Sequence, residues 1–243
     1  MRQIPFKAAL LRFSMAGGDR RSAASEFALT RLLGVRGTGG LVVSVGGGPT
    51  RVAKGVRNVN IALLPQVDVV ADAHALPFRS EVLAGLHCEA VLEHLEKPVH
   101  AVAEMYRVAK PGALVFSATP FLQAFHGYPS HFQNFTRPGH ELLFRRAGFS
   151  IVAAGCCVGP VYALADAFRY AVRQFVGPEW LARAFAAAVW LASWPFRILD
   201  GLLANQAGAD RFCSTTFVLA EKPTGSTPQR ANPGMQRTRY ARR

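Results

Sequence analysis

Leu41-Val42-Val43-Ser44-Val45, followed by Gly46-Gly47-Gly48-Pro49, decides how the rest of this chain is read. The first five residues are rich in β-branched side chains and carry no charge, as a buried strand does. Glycines and proline then stop the run. Downstream, Val67-Asp68-Val69-Val70-Ala71 reads as another buried strand, stopped by Asp72, with a weaker strand run from Val56 to Ile61 between the two. Pro98 to Val108 reads as a helix. It has Pro98 in its first turn and turns Val99, Val102, Met105 and Tyr106 to one side, before Lys110-Pro111-Gly112 ends it. Ala113 to Ser117 is the next strand. Glu141 to Ala147 is a helix closed by Gly148, and Phe149 to Ala153 is a strand. Strand and helix alternating at this spacing predict an α/β fold: a doubly wound, mostly parallel sheet covered on both faces. Residues 160–209 break that rhythm. They read as two or three helices split by Gly177-Pro178 and Pro195, a helical insertion before a last strand from Ser214 to Leu219.

Three segments follow from this reading. Residues 1–40 form a helical lead-in that ends at Gly37-Thr38-Gly39-Gly40, residues 41–222 the main domain, and residues 223–243 a disordered basic tail. At 243 residues and 26.3 kDa, the chain suits one good-sized domain. Half of its residues are apolar and 18% are charged, which excludes a disordered or coiled-coil protein. The net charge of +13 sits mostly at the ends. Residues 1–40 carry seven basic and two acidic residues, and 224–243 carry five arginines and no acid. A nucleic-acid enzyme more often carries its basic stripe on the folded body, so nucleic acid is not the expected partner. Arg2, Lys7 and Arg12 interrupt every apolar run of a would-be signal peptide. Cys88, Cys156, Cys157 and Cys213 form no C-x-x-C pair, so reduced, buried thiols in a cytoplasmic protein are expected, with no metal site.

Three stretches carry candidate chemistry. Gly46-x-Gly48 after the first strand is where a doubly wound sheet lets backbone approach a ligand, although the same residues also make an ordinary tight turn. Asp72-Ala73-His74-Ala75-Leu76-Pro77-Phe78 places an acid at a strand end, to receive a base or amine or to cap the next turn. Glu93-His94 lacks the second histidine of an H-E-x-x-H zinc protease and reads as a helix cap.

LVVSVGGGP, DAHALPF, EAVLEHLEKP and EMYRVAKPGALVF, taken in this order, resemble the class I S-adenosylmethionine-dependent methyltransferases of the type 11 group. The likeness runs from about Leu41 to Ile151 and resumes at the last strand. It implies a Rossmann-like fold with S-adenosyl-L-methionine as cofactor. TPFLQAFHGYPSHFQNFT and RRAGF are similar to a subgroup that modifies surface glycans or lipids. Carried over by position, the resemblance implies Ser44, Gly46, Gly48 and Asn60 around the methionine and ribose. It implies Asp72 and Ala73 at the adenine, and Glu89 and Leu92 beside the methyl-donor pocket. For a hydroxyl acceptor, His126, His131 and Tyr128 are the catalytic candidates.

Departures accompany the matches. Ser44 stands where the family has an acid on the first strand, Thr50 replaces the third loop glycine, and Asn60 replaces the ribose-binding acid. The aspartate before the fourth strand aligns near Ala84, and His131 and Asn134 stand for an acid and an arginine in the subgroup's loop. A degenerate, non-catalytic scaffold is therefore the alternative to methyl transfer. Trp180, Trp190 and Trp194 cluster with Phe185 and Phe196 between Arg183 and Arg197. That pattern fits a contact with a membrane surface through residues 179–204, a lid over the acceptor, or a homo-oligomer interface. The thirteen uncharged residues from Ala184 to Phe196 are short of the roughly 18–20 that cross a bilayer. A small-molecule or lipid-linked acceptor is expected, and the protein is expected at most peripherally at the inner face of a membrane.

Overall fold

The computed structural model describes residues 21–127, 130–193 and 195–225. Tyr128, Trp194, the first half of the lead-in and the tail beyond residue 225 lie outside the described residues. The elements run α1 (Ala23–Gly34), β1 (Val42–Val45), β2 (Arg57–Asn60), β3 (Val69–Val70), β4 (Leu83–Glu89), α2 (Pro98–Val108) and β5 (Ala109–Pro120). They continue with α3 (Arg137–Arg146), β6 (Ser150–Val158), α4 (Pro160–Phe175), α5 (Glu179–Ser193), α6 (Asp200–Leu203) and β7 (Thr215–Glu221). One sheet of order β3-β2-β1-β4-β5-β7-β6 gathers all seven strands. β1 pairs in parallel with β2 and β4, and β7 runs antiparallel between β5 and β6.

β1 sits in the sheet's interior because all four of its residues are buried, and valines on both faces need cover from both sides. Alternate residues of β5 and β7 feed two separate cores. Leu114, Phe116, Phe217 and Leu219 meet Ala28 and Leu32 of α1 on one face. Val115, Val218 and Ala220 meet Val102 and Met105 of α2 and Phe144 of α3 on the other. Ser22 caps α1 by accepting a hydrogen bond from the Ser25 N–H. α2 buries Pro98, Ala101, Val102, Met105 and Val108, an i, i+3, i+4, i+7 stripe. Val99, expected on that face, is half exposed.

Three further expectations are corrected. The run from Val67 to Ala71, read as a buried strand, holds only the two-residue edge strand β3, and its Val70 is exposed. Strand periodicity passed over β4, whose Ala84-Gly85 pair and polar His87 and Glu89 hide its pattern. A Cβ on Gly85 would meet Leu32 Cδ1 at 2.7 Å, so the residue that weakens the signal is also the one against which α1 packs closely. Helices also fail to alternate with strands in the first half. Connections 46–56, 61–68 and 71–82 contain none. Arg51 organises the first two instead, with two hydrogen bonds to the Asp68 carboxylate (2.5 and 2.9 Å) and one to the Val56 carbonyl (2.7 Å). Asp68 in turn accepts the Asn58 N–H, and the arginine and this amide hold its carboxyl far below the usual carboxylate range.

The insertion before β7 is helical. Rings of Tyr162 and Trp190, near opposite ends of α4 and α5, meet edge-on at 5.6 Å, so the two helices run antiparallel. Asp200 accepts the Val161 and Tyr162 N–H groups, both at 2.8 Å, at the start of α4. All four cysteines are free and buried. Among the described residues, no helix is long and apolar enough to cross a membrane.

Candidate functional site

The carboxyl ends of β1, β2, β3 and β4 lie side by side, as parallel pairing requires, and Gly46, Asn60, Asp72 and Glu89 lie along that edge. Gly46 follows β1 with φ +71°, and a Cβ there would stand 2.2 Å from Val91 Cγ2, so only glycine fits this turn. Two asparagines of β2 clamp the loop. Asn60 Nδ2 donates to the Gly47 carbonyl at 3.0 Å, and Asn58 Nδ2 donates to the Gly48 carbonyl at 3.1 Å. Asn60 Oδ1 accepts the Ala62 N–H, which leaves one amide hydrogen and one lone pair for a ligand. Asp72 Oδ1 accepts both the backbone N–H and Nδ1 of His74. These bonds lower its pKa, so it stays ionised with Oδ2 uncommitted. Ala73 beside it packs on the main core.

Ser44 does not open onto this edge. It is buried, and its Oγ meets His87 Nδ1 at 3.0 Å on the neighbouring strand. His87 Nε2 reaches Glu89 Oε2 at 3.2 Å, and Glu89 Oε1 pairs with Arg21 at 2.5 Å. Burial alone would raise the Glu89 carboxyl, but the hydrogen bond from His87 and the Arg21 charge hold it at about 2. Sequence reasoning missed His87 and Arg21. The polar side chain at Ser44, flanked in register by Asn58 and His87, was the signal for this network. Leu92 is fully buried in the core, so its side chain is no wall of an open pocket as it stands.

Beyond β4 and β5 lies a cavity of about 90 Å³, lined among others by Glu89, Glu93, Thr119, Gln123, Tyr162 and Thr215. Tyr162 belongs to the insertion, so α4 supplies part of its wall. Glu93 is fully buried in the short turn Leu92–His94, rather than capping a helix, and neither of its carboxyl oxygens has a hydrogen-bond partner. Burial pushes this carboxyl up to about 8. The loop after β5 is strapped down on both sides. Phe132 N–H donates to the Glu93 carbonyl, and Gln123 Nε2 donates to the Ser214 and Thr215 hydroxyls. His126 and His131 come together there, ring centres 4.3 Å apart, but their ring nitrogens differ in availability. His131 accepts the His126 N–H at Nδ1 and donates from Nε2 to Asn134, so both nitrogens are engaged. His126 donates from Nδ1 to the Ala124 carbonyl, which leaves Nε2 with a lone pair. Tyr128 lies outside the described residues.

Residues 41–117 match a family model described as a methyltransferase domain. No curated protein sequence matches the chain. Among solved structures, it is similar to the cyclase SpnF, with 20% identity, a TM-score of 0.52 and 86% of each chain covered. It is also similar to an S-adenosylmethionine-dependent methyltransferase of Thermotoga maritima, a possible histamine N-methyltransferase, with 15% identity, a TM-score of 0.51, and 89% of this chain and 96% of that one covered. A third is the phosphoethanolamine N-methyltransferase 2 of Haemonchus contortus, in complex with phosphomonomethylethanolamine and S-adenosylhomocysteine, with 13% identity, a TM-score of 0.50, and 91% of this chain and 59% of that one covered. At these identities the likeness is one of fold.

Proposed function

We propose, from the match of residues 41–117 to a methyltransferase-domain model, that this chain transfers a methyl group from S-adenosyl-L-methionine to a small-molecule, glycan or lipid-linked acceptor. One observation carries the reading. The row Gly46, Asn60, Asp72 and Glu89 along the strand ends leads into the cavity beyond β4 and β5, which shares Glu89 with that row.

The residues fit such a cofactor. Gly46 and Gly48 present backbone without side chains, Asn60 keeps one donor and one acceptor for a ribose, and Asp72 keeps a carboxylate oxygen for an amine. Bound there, the cofactor would supply an electrophilic methyl on a sulfonium. The chain's own part is positioning, since an in-line displacement is driven by holding nucleophile and methyl in line. The cavity wall from Thr119 to Gln123 and Tyr162 would hold the acceptor, and His126 Nε2 could take the proton of an acceptor hydroxyl.

Calorimetric titration of the purified protein with S-adenosylmethionine, and with its demethylated product, tests this. Micromolar binding is expected, and no heat up to millimolar ligand would overturn it. A second reading is a scaffold that keeps the fold without turnover. It is favoured by Ser44, which is bound to His87, and by Asn60, whose oxygen already serves Ala62. Cofactor binding with no methyl transfer to sugar, amine or lipid-linked acceptors would favour the scaffold.

A further inference from the structure

The turn after β4 and the loop after β5 bring Glu93, His94 and His126 together, with one ligand-type atom of each within 4.8 Å of the others. Both histidines have the same orientation chemistry. His94 Nδ1 meets the Ser130 carbonyl at 2.5 Å and His126 Nδ1 meets the Ala124 carbonyl at 2.9 Å. A carbonyl only accepts, so each Nδ1 carries the proton and each neutral ring keeps its lone pair on Nε2. Glu93 completes the set. Its side chain is fully buried and both oxygens lack a hydrogen-bond partner, while His94 Nε2 stands 3.7 Å from Oε1. A carboxyl taken out of water with nothing to bond is costly unless a partner joins it there.

Histidines that bind metals almost always donate their second ring N–H to a carbonyl or carboxylate, which fixes the ring and its tautomer. Both rings here are held in that way. We infer that Glu93, His94 and His126 bind a divalent transition cation of the zinc class, through a carboxylate oxygen and the two Nε2 atoms. Two imidazoles and one carboxylate suit zinc, cobalt or ferrous iron better than magnesium or calcium, which take oxygen ligands. Ligand atoms around a tetrahedral zinc stand about 3.4 Å apart, given bonds of roughly 2.0–2.1 Å. Glu93 and His94 are nearly at that separation, and His126 closes the remainder from its loop. Phe132 N–H bonded to the Glu93 carbonyl and Gln133 Nε2 bonded to the Leu95 carbonyl already hold loop and turn together.

His131 stays outside the set because both its nitrogens are engaged. Glu93 also lines the cavity, so the cation stands at the cavity wall with a fourth position for water or an acceptor oxygen. In the loaded protein His126 is a ligand and not a base. The sequence argued against a metal because spacing rules look for ligands on one element, whereas these come from two. The site does not depend on methyl transfer and is read without cofactor or acceptor.

The experiment uses the full chain stripped with a chelator, titrated with zinc chloride and, separately, with cobalt chloride. One equivalent of zinc, bound at micromolar concentration or tighter, and visible cobalt absorption bands are expected. Glu93→Gln and His126→Ala should each weaken binding by at least about tenfold, with thermal melts showing that both fold. His100→Ala, at an exposed position of α2, should change nothing. Wild-type protein that takes up no zinc in the submillimolar range overturns the proposal. So does zinc binding that His126→Ala leaves intact, since His126 lies on a loop whose truncation spares the core.

Discussion

Ser44 illustrates how one residue's role depends on its neighbour across the sheet. Its hydroxyl satisfies Nδ1 of His87, whose other nitrogen reaches Glu89, whose second oxygen meets Arg21. The acid that the resemblance expects on the first strand is therefore absent, and the nearest carboxylate in this network lies on β4, reached through an imidazole. Ser44→Ala leaves a buried ring nitrogen without its partner, which should cost about 1–3 kcal/mol. Chemical unfolding in urea measures that loss. A stability unchanged within about 0.5 kcal/mol would show that His87 finds another partner or does without one. His126 and His131 were indistinguishable in sequence. Only hydrogen-bond directions separate the ring with a spare nitrogen from the ring with none.

At the scale of elements, the insertion leaves the most unexplained apolar surface. Phe168 and Phe175 of α4, and Trp180, Phe185 and Leu191 of α5, are half or more exposed. Residues 179–204 are proposed to rest on a membrane surface, because tryptophan and arginine on short apolar helices suit the interface. Co-sedimentation with vesicles containing anionic phospholipid is expected, and Trp180→Ala with Phe185→Ala should reduce it severalfold. No sedimentation with any vesicle, together with a concentration-dependent dimer by light scattering, would assign these helices to a self-contact. The glycine loop teaches the opposite lesson. Its position after β1 was readable from residues alone, yet its clamp by Asn58 and Asn60 comes from a strand that periodicity marked only weakly.

Whole-molecule stability should depend on pH through buried groups of the sheet and its covering helices. His140 is completely buried between Ser117 and Thr216, and burial lowers its pKa to about 3. Above the ordinary histidine value of about 6.5, native and unfolded chains hold the same proton count at this residue. Between that value and about 3, the unfolded chain takes up a proton that the native state refuses, so stability falls as pH drops. The Glu89 carboxyl, held at about 2, acts in the same direction at lower pH, from its unfolded value near 4.3 downward. Urea unfolding at a series of pH values should show about 2 kcal/mol lost between pH 6.5 and 5 through His140. His140→Gln should flatten that slope, and an unaltered slope would assign the acid sensitivity to other groups.

The sequence by itself determined the α/β class, the glycine turn after β1 and the helical insertion before the last strand. Each is a local pattern: β-branched runs, a residue without a Cβ, a helical stretch where a strand was due. Tertiary structure alone decided that β4 is a buried strand, that residues 46–82 connect without helices, and that His87 and Arg21 join Ser44 and Glu89. It alone brought Glu93, His94 and His126 to one place. The physical reason is that burial, tautomer and charge pairing depend on which groups meet across strands and loops. A pattern along one chain records what each residue can do, but not which partner it meets.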